Sequence, residues 1–85
     1  MADWYVYMVR CADDSLYTGV ALDPGRRVEE HNHDDRLAAR YTRARRPVTL
    51  VYHERVASRA DAMSREYAIK QLARHEKEKL LGSSA

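Results

Sequence analysis

The chain has 85 residues, 45% of them apolar, and a formal charge of +2 at pH 7. That length supports one domain around one modest core, and a composition with six Tyr, one Trp and no Phe excludes a disordered chain. No apolar run is long enough to span a membrane, and the start "MADWYVY" lacks the pattern of a secretory signal. Cys11, the single cysteine, excludes an intrachain disulfide scaffold and a thiolate cluster.

Residues 4–11, "WYVYMVRC", are rich in β-forming side chains and end at the turn-prone "ADDS". "LYTGV" at 16–20 follows at once, so the two runs read as an antiparallel hairpin. On the first strand a period of two sets Tyr5 and Tyr7 on one face and Val6 and Met8 on the other. Cys11 reads as a plain buried thiol, which fits a reducing, cytoplasmic setting. Asp23 then caps a helix whose first residue, Pro24, has no N–H to leave unpaired. This helix should reach Asn32 or His33 and has little to bury. Val28 is its one clearly apolar early position, while Arg27 and His31, four apart, share a face.

From Arg36 to Arg46 the segment "RLAARYTRARR" holds five arginines and no acid; it should contain a short helical turn closed by Pro47. Arginine outnumbers lysine twelve to three across the chain, and its planar fork pairs with phosphate and stacks on bases. Arg26, Arg36, Arg40, Arg43, Arg45 and Arg46 are therefore candidates for contact with a polyanion. Residues 48–54, "VTLVYHE", read as a third strand, and Ser58 caps a helix with Asp61 in the acidic position of a capping box. That helix runs to about Leu72, "RHEKEKLL" adds a last amphipathic turn or two, and 82–85 form a frayed tail. The order β-β-α-(α)-β-α-α predicts an α+β fold, a small three-stranded antiparallel sheet flanked by helices, with one domain over 1–85.

Glu66 stands out on the third predicted helical region because Ala62, Met63 and Ile69, three of its four helical neighbours, are apolar. A carboxylate beside a buried face needs an ion-pair partner or a cation; an arginine pair, a metal ligand and a catalytic acid all remain open. Tyr5, Tyr41 and Tyr52 read as core or interface fillers. A carboxylate, an arginine and a tyrosine or histidine in one cleft suit phosphodiester hydrolysis. A divalent ion on the carboxylate polarises the phosphate, the arginine neutralises phosphoryl charge, and the tyrosine or histidine orients water.

Taken together the residues resemble the GIY-YIG nuclease superfamily, and its small stand-alone bacterial members in particular. The two motif halves are "YVY" at Tyr5-Val6-Tyr7 and "YTG" at Tyr17-Thr18-Gly19, followed by "VALDPGRRVEEHN". The resemblance runs from Trp4 to about Leu81. It implies catalytic roles for Tyr7, Tyr17, Arg27, His31 and Glu66, a structural role for Gly19, and one divalent cation, Mg2+ or Mn2+, on Glu66. The implied activity is endonucleolytic cleavage of DNA, structured or damaged, with RNA as the alternative partner. No separate recognition region is visible, so substrate affinity and specificity would either be weak or come from a protein partner or a homodimer. The alternatives are a non-catalytic nucleic-acid-binding module and a small adaptor of a larger nuclease or repair complex.

Overall fold

A computed structural model describes residues 3–83. Seven elements follow in the order expected: β1 (Trp4–Arg10), β2 (Leu16–Ala21), α1 (Pro24–His33), α2 (Arg40–Arg43), β3 (Thr49–Val56), α3 (Arg59–Lys70) and α4 (Arg74–Ser83). The three strands form one antiparallel sheet in the order β2-β1-β3. β1 is central and carries the one run of four consecutive buried side chains among the described strands, Val6, Tyr7, Met8 and Val9.

Two small cores lie on the two faces of this sheet. On one, Tyr7, Val9, Cys11, Ala21 and Val48 pack with Tyr17, Val28 and Leu50. On the other, Val6 and Met8 meet Ala62 and Ile69 of α3, with Leu80 and Leu81 of α4 at the margin. The period-two division of β1 is thus the division between cores. α4 takes in Gly82 and Ser83, whereas 84–85 of the predicted tail lie outside the described residues. The hairpin turn places Asp14 at φ 69, a left-handed conformation that Asp tolerates, and the Asp13 carboxylate accepts from the Ser15 amide at 3.1 Å.

Helix α1 begins where expected. The Asp23 side chain accepts from the Arg26 amide at 3.1 Å, and Pro24 occupies the first turn. Its buried residue is His31, which explains the missing apolar stripe: the helix docks through an imidazole. At the far end of β3, Ser58 accepts from the Asp61 amide at 3.1 Å and starts α3.

Gly19 pairs directly with Tyr7 across the hairpin. A Cβ at position 19 would stand 2.6 Å from the Tyr7 hydroxyl oxygen and 2.7 Å from its Cζ. The glycine is needed because the Tyr7 ring crosses the β2 backbone there. Gly19→Ala should destabilise the fold by about 1–3 kcal/mol, the usual range for overpacking. Urea unfolding checks this, and a midpoint equal to that of the parent chain would contradict it.

Candidate functional site

The centre of the site is a buried hydrogen bond between the Tyr7 hydroxyl and His31 Nε2, 2.7 Å long, with Tyr7 1% and His31 0% exposed. β1 supplies the phenol and α1 the imidazole. The other ring nitrogen, Nδ1, receives the Ala39 amide at 3.2 Å and lies 2.9 Å from Thr42 Oγ1. Burial, aided by the Arg27 and Arg46 charges, holds the His31 pKa down at about 4, so the ring is neutral near pH 7. Burial and the neighbouring Tyr17 push the Tyr7 hydroxyl well above its ordinary value, against the opposing pull of Arg27, so Tyr7 is a phenol and not a phenolate.

Arg27 lies beside this pair. Its guanidinium donates to Glu30 at 2.9 Å and to the Leu37 carbonyl at 2.7 Å, and it is 28% exposed. Burial works against its charge, but the Glu30 hydrogen bond and the nearby Tyr7 outweigh it and strengthen its hold on the proton. Arg27 is a cation fixed in place with part of its surface in solvent. With Arg26, Glu30, Val20, Leu22 and Trp4 it lines a surface pocket of about 330 Å³ along the outer edge of β2.

Tyr17, on the same face as Tyr7, meets the His31 ring edge-on at 5.6 Å. Its other neighbour is Tyr41, stacked at 5.7 Å and 23°, and the Arg45 guanidinium lies 3.8 Å over Tyr41. Tyr41 is 37% exposed, so of the two places read for it from sequence, core or interface, it is not in the core but in a surface stack. From the other side of the sheet α3 brings Lys70, whose ammonium is 5.8 Å from the Tyr17 ring and 3.4 Å from Glu66. Glu66 is half-buried and close enough for its charge to act on Tyr7. Tyr7, Tyr17, Arg27, His31 and Glu66 therefore gather around the β2 edge.

The divalent cation expected on Glu66 is a correction. Among the described residues no group of three or more His, Cys, Asp or Glu could hold a metal ion. The reason lies in the neighbours: Glu66 faces Lys70, Glu30 is engaged by Arg26 and Arg27, and both nitrogens of His31 have partners. Glu66 has an ion-pair partner, though a lysine one turn on and not an arginine.

The basic segment divides in two. Arg45 pairs with Asp13 at 3.0 Å, and Arg46 pairs with Asp35 at 2.7 Å while donating to the His31 carbonyl at 2.6 Å. Arg36, Arg40 and Arg43 are exposed and form no ion pair among the described residues; Arg43 donates to the Asp35 carbonyl, and its charge acts on the Asp35 carboxylate behind that of Arg46. Arg26 is exposed and pairs loosely with Glu30 at 3.6 Å. Glu30, Tyr41, Thr42 and Lys70 are the site neighbours that sequence reading missed. The four-residue spacing of Glu66 and Lys70 was a legible signal, but nothing local marks Thr42.

A GIY-YIG catalytic domain model matches residues 3–79 of the chain. A UPF0213 protein of Desulfotalea psychrophila is 52% identical over 81 residues, covering 95% of this chain and 73% of that protein. One from Natronomonas pharaonis is 50% identical over 80 residues, covering 94% and 92%. The relatives thus reach across bacteria and archaea, wider than the bacterial branch expected. The solution NMR structure of a UPF0213 protein from Bacillus halodurans has a TM-score of 0.59 and 40% identity, covering 94% of this chain and 83% of that one. That of a protein from E. faecalis has a TM-score of 0.64 and 38% identity, covering 98% and 86%.

The low pKa of His31 has a signed consequence. Between pH 6.5 and about 4 the unfolded chain binds a proton at His31 that the folded chain refuses. This contribution is complete above pH 6.5 and is lost progressively as the pH falls towards 4, by about 3 kcal/mol in all. In an NMR titration the His31 ring should stay neutral down to pH 5 or so; a midpoint near the ordinary histidine value of about 6.5 would contradict this.

Proposed function

The chain belongs to the GIY-YIG catalytic-domain family, and from that premise we propose that it is a nucleic-acid-binding module. The backbone phosphate would sit beside Arg27 at the β2 edge. The observation that carries this reading is the arrangement of cations. Arg27 is pinned by Glu30 and Leu37, and the exposed Arg36, Arg40 and Arg43, whose guanidinium groups form no ion pair among the described residues, follow on the segment that Arg27 itself touches at Leu37. A fixed guanidinium binds phosphate without first losing side-chain freedom. The exposed arginines beside it extend the positive surface along a polyanion. DNA is the partner proposed, with RNA the alternative in the same test. Tyr17 and Gly19 shape the opening, and Tyr7 and His31 hold α1 so that Arg27 faces it.

A second reading, hydrolysis of the bound phosphodiester, is favoured by Glu66. A carboxylate repels phosphate, so a surface built only for binding gains nothing from one at its edge. In that reading Arg27 neutralises charge building on the phosphoryl oxygens, and Glu66 and Tyr17 orient the attacking water.

Arg27→Ala should weaken binding to labelled duplex DNA about tenfold or more, as expected for losing a charged hydrogen bond. It should also lower the slope of log affinity against log salt by about one. Equal affinity and slope in the two proteins would contradict the binding role. Glu66→Gln should leave affinity equal or higher in either reading. Tested on single-stranded, duplex, nicked and branched DNA, cleavage by the parent chain that Glu66→Gln abolishes selects the hydrolytic reading. Cleavage unchanged by the substitution removes Glu66 from it.

A further inference from the structure

His31 has two tautomers available, and they give Tyr7 opposite roles. With its proton on Nδ1, the ring would accept the Tyr7 proton at Nε2. With its proton on Nε2, it donates to the Tyr7 oxygen instead. The bond length of 2.7 Å between Tyr7 Oη and Nε2 does not distinguish them; the surroundings of Nδ1 do.

The Ala39 backbone amide is an obligatory donor and points at Nδ1 from 3.2 Å. A proton on Nδ1 would place two N–H groups head to head in a buried site. Thr42 Oγ1 stands 2.9 Å from the same nitrogen and 3.0 Å from the Ala39 carbonyl oxygen. That carbonyl also accepts from the Arg43 amide at 3.0 Å, and since a carbonyl oxygen can take two bonds the one hydroxyl proton of Thr42 has both it and Nδ1 within reach; with Nδ1 unprotonated, turning to Nδ1 avoids setting two lone pairs face to face. Thr42 is itself fully buried and cannot turn to water. The Ala39 amide is thus the fixed donor to Nδ1, and the Thr42 hydroxyl a second one that can turn to it.

We propose that the Ala39 amide and Thr42 lock His31 with its proton on Nε2, which makes Tyr7 the acceptor of that bond. Thr42 is then a positioning residue, acting through His31 on the contact that seats α1 and with it Arg27. His31 is not the base that takes the Tyr7 proton. The effect on nucleic-acid binding rests on the phosphate-binding reading above. The tautomer assignment does not depend on it.

The test is a long-range 1H–15N spectrum of the uniformly 15N-labelled chain at pH 7, which shows directly which ring nitrogen carries the proton. For the parent chain the prediction is an unprotonated Nδ1 and a protonated Nε2 at His31. Thr42→Val keeps the shape and removes the hydroxyl; it should give a mixture of tautomers and several-fold weaker binding to labelled duplex DNA. Thr42→Ser should restore both. A proton on Nδ1 in the parent chain overturns the proposal, and that spectrum decides it even if Thr42→Val does not fold. An unchanged His31 pattern in a folded Thr42→Val chain overturns the role of Thr42. Failure of the nucleic-acid reading looks different: Arg27→Ala then leaves affinity unchanged while the His31 pattern still shifts in Thr42→Val.

Discussion

The hydrogen bond between Tyr7 and His31 is the contact on which the arrangement of this small protein depends. It joins the central strand to a helix that has almost no other buried side chain. A net contribution of about 1 kcal/mol is ordinary for such a bond, but leaving either buried group unpaired costs about 1–3 kcal/mol. That asymmetry fixes the helix at one place and rotation. Gly19 follows from the same constraint, because the phenol reaches His31 by passing over the β2 backbone. Arg46 closes the other end of α1 by donating to the His31 carbonyl. In a chain of 85 residues one polar contact can substitute for an apolar stripe only because so many neighbours complete it.

Seating α1 in this way determines the electrostatics of the β2 edge. Arg27 lies one turn before His31 and therefore emerges beside Tyr7, where Glu30 and the Leu37 carbonyl hold it. Its charge and that of Arg46 help keep the imidazole neutral, and the neutral imidazole in turn can be buried. On the opposite side Glu66 and Lys70 form a pair of their own next to Tyr17. The edge thus presents an alternation of charges anchored to three different elements. It offers fixed arginine and lysine cations and aromatic rings to an anion, but among the described residues no cluster of carboxylates to a metal.

Much of this was legible in the sequence because the signals were local. The period of two in "WYVYMVRC" divided the cores correctly, Asp23 and Pro24 marked the start of α1, and the poor apolar face of that helix marked it as unusual. The element order and the sheet follow from the same cues. What escaped was set by contacts distant in the chain. Thr42 is one polar residue within an arginine run, and its burial against His31 depends on how α2 folds back over α1. Tyr41 looks like any core tyrosine until Arg45 and Tyr17 are found on either side of it. The divalent cation was inferred from a resemblance attached to one carboxylate, and the sequence alone could not show that no further acid joins Glu66. Gly19 was expected to have a structural role at the site; in the fold, the group its missing side chain admits is the Tyr7 ring.

The central claim is that a nucleic acid engages the β2 edge through the cation that the Tyr7–His31 contact sets in place. The most direct measurement is a backbone amide NMR titration of the 15N-labelled chain with a short DNA duplex at low salt. The account predicts shifts concentrated on Tyr17, Gly19, the first turns of α1, the segment 36–43 and the last turn of α3, fading as salt rises. Shifts confined to β3 and α4, or none at all, would contradict it.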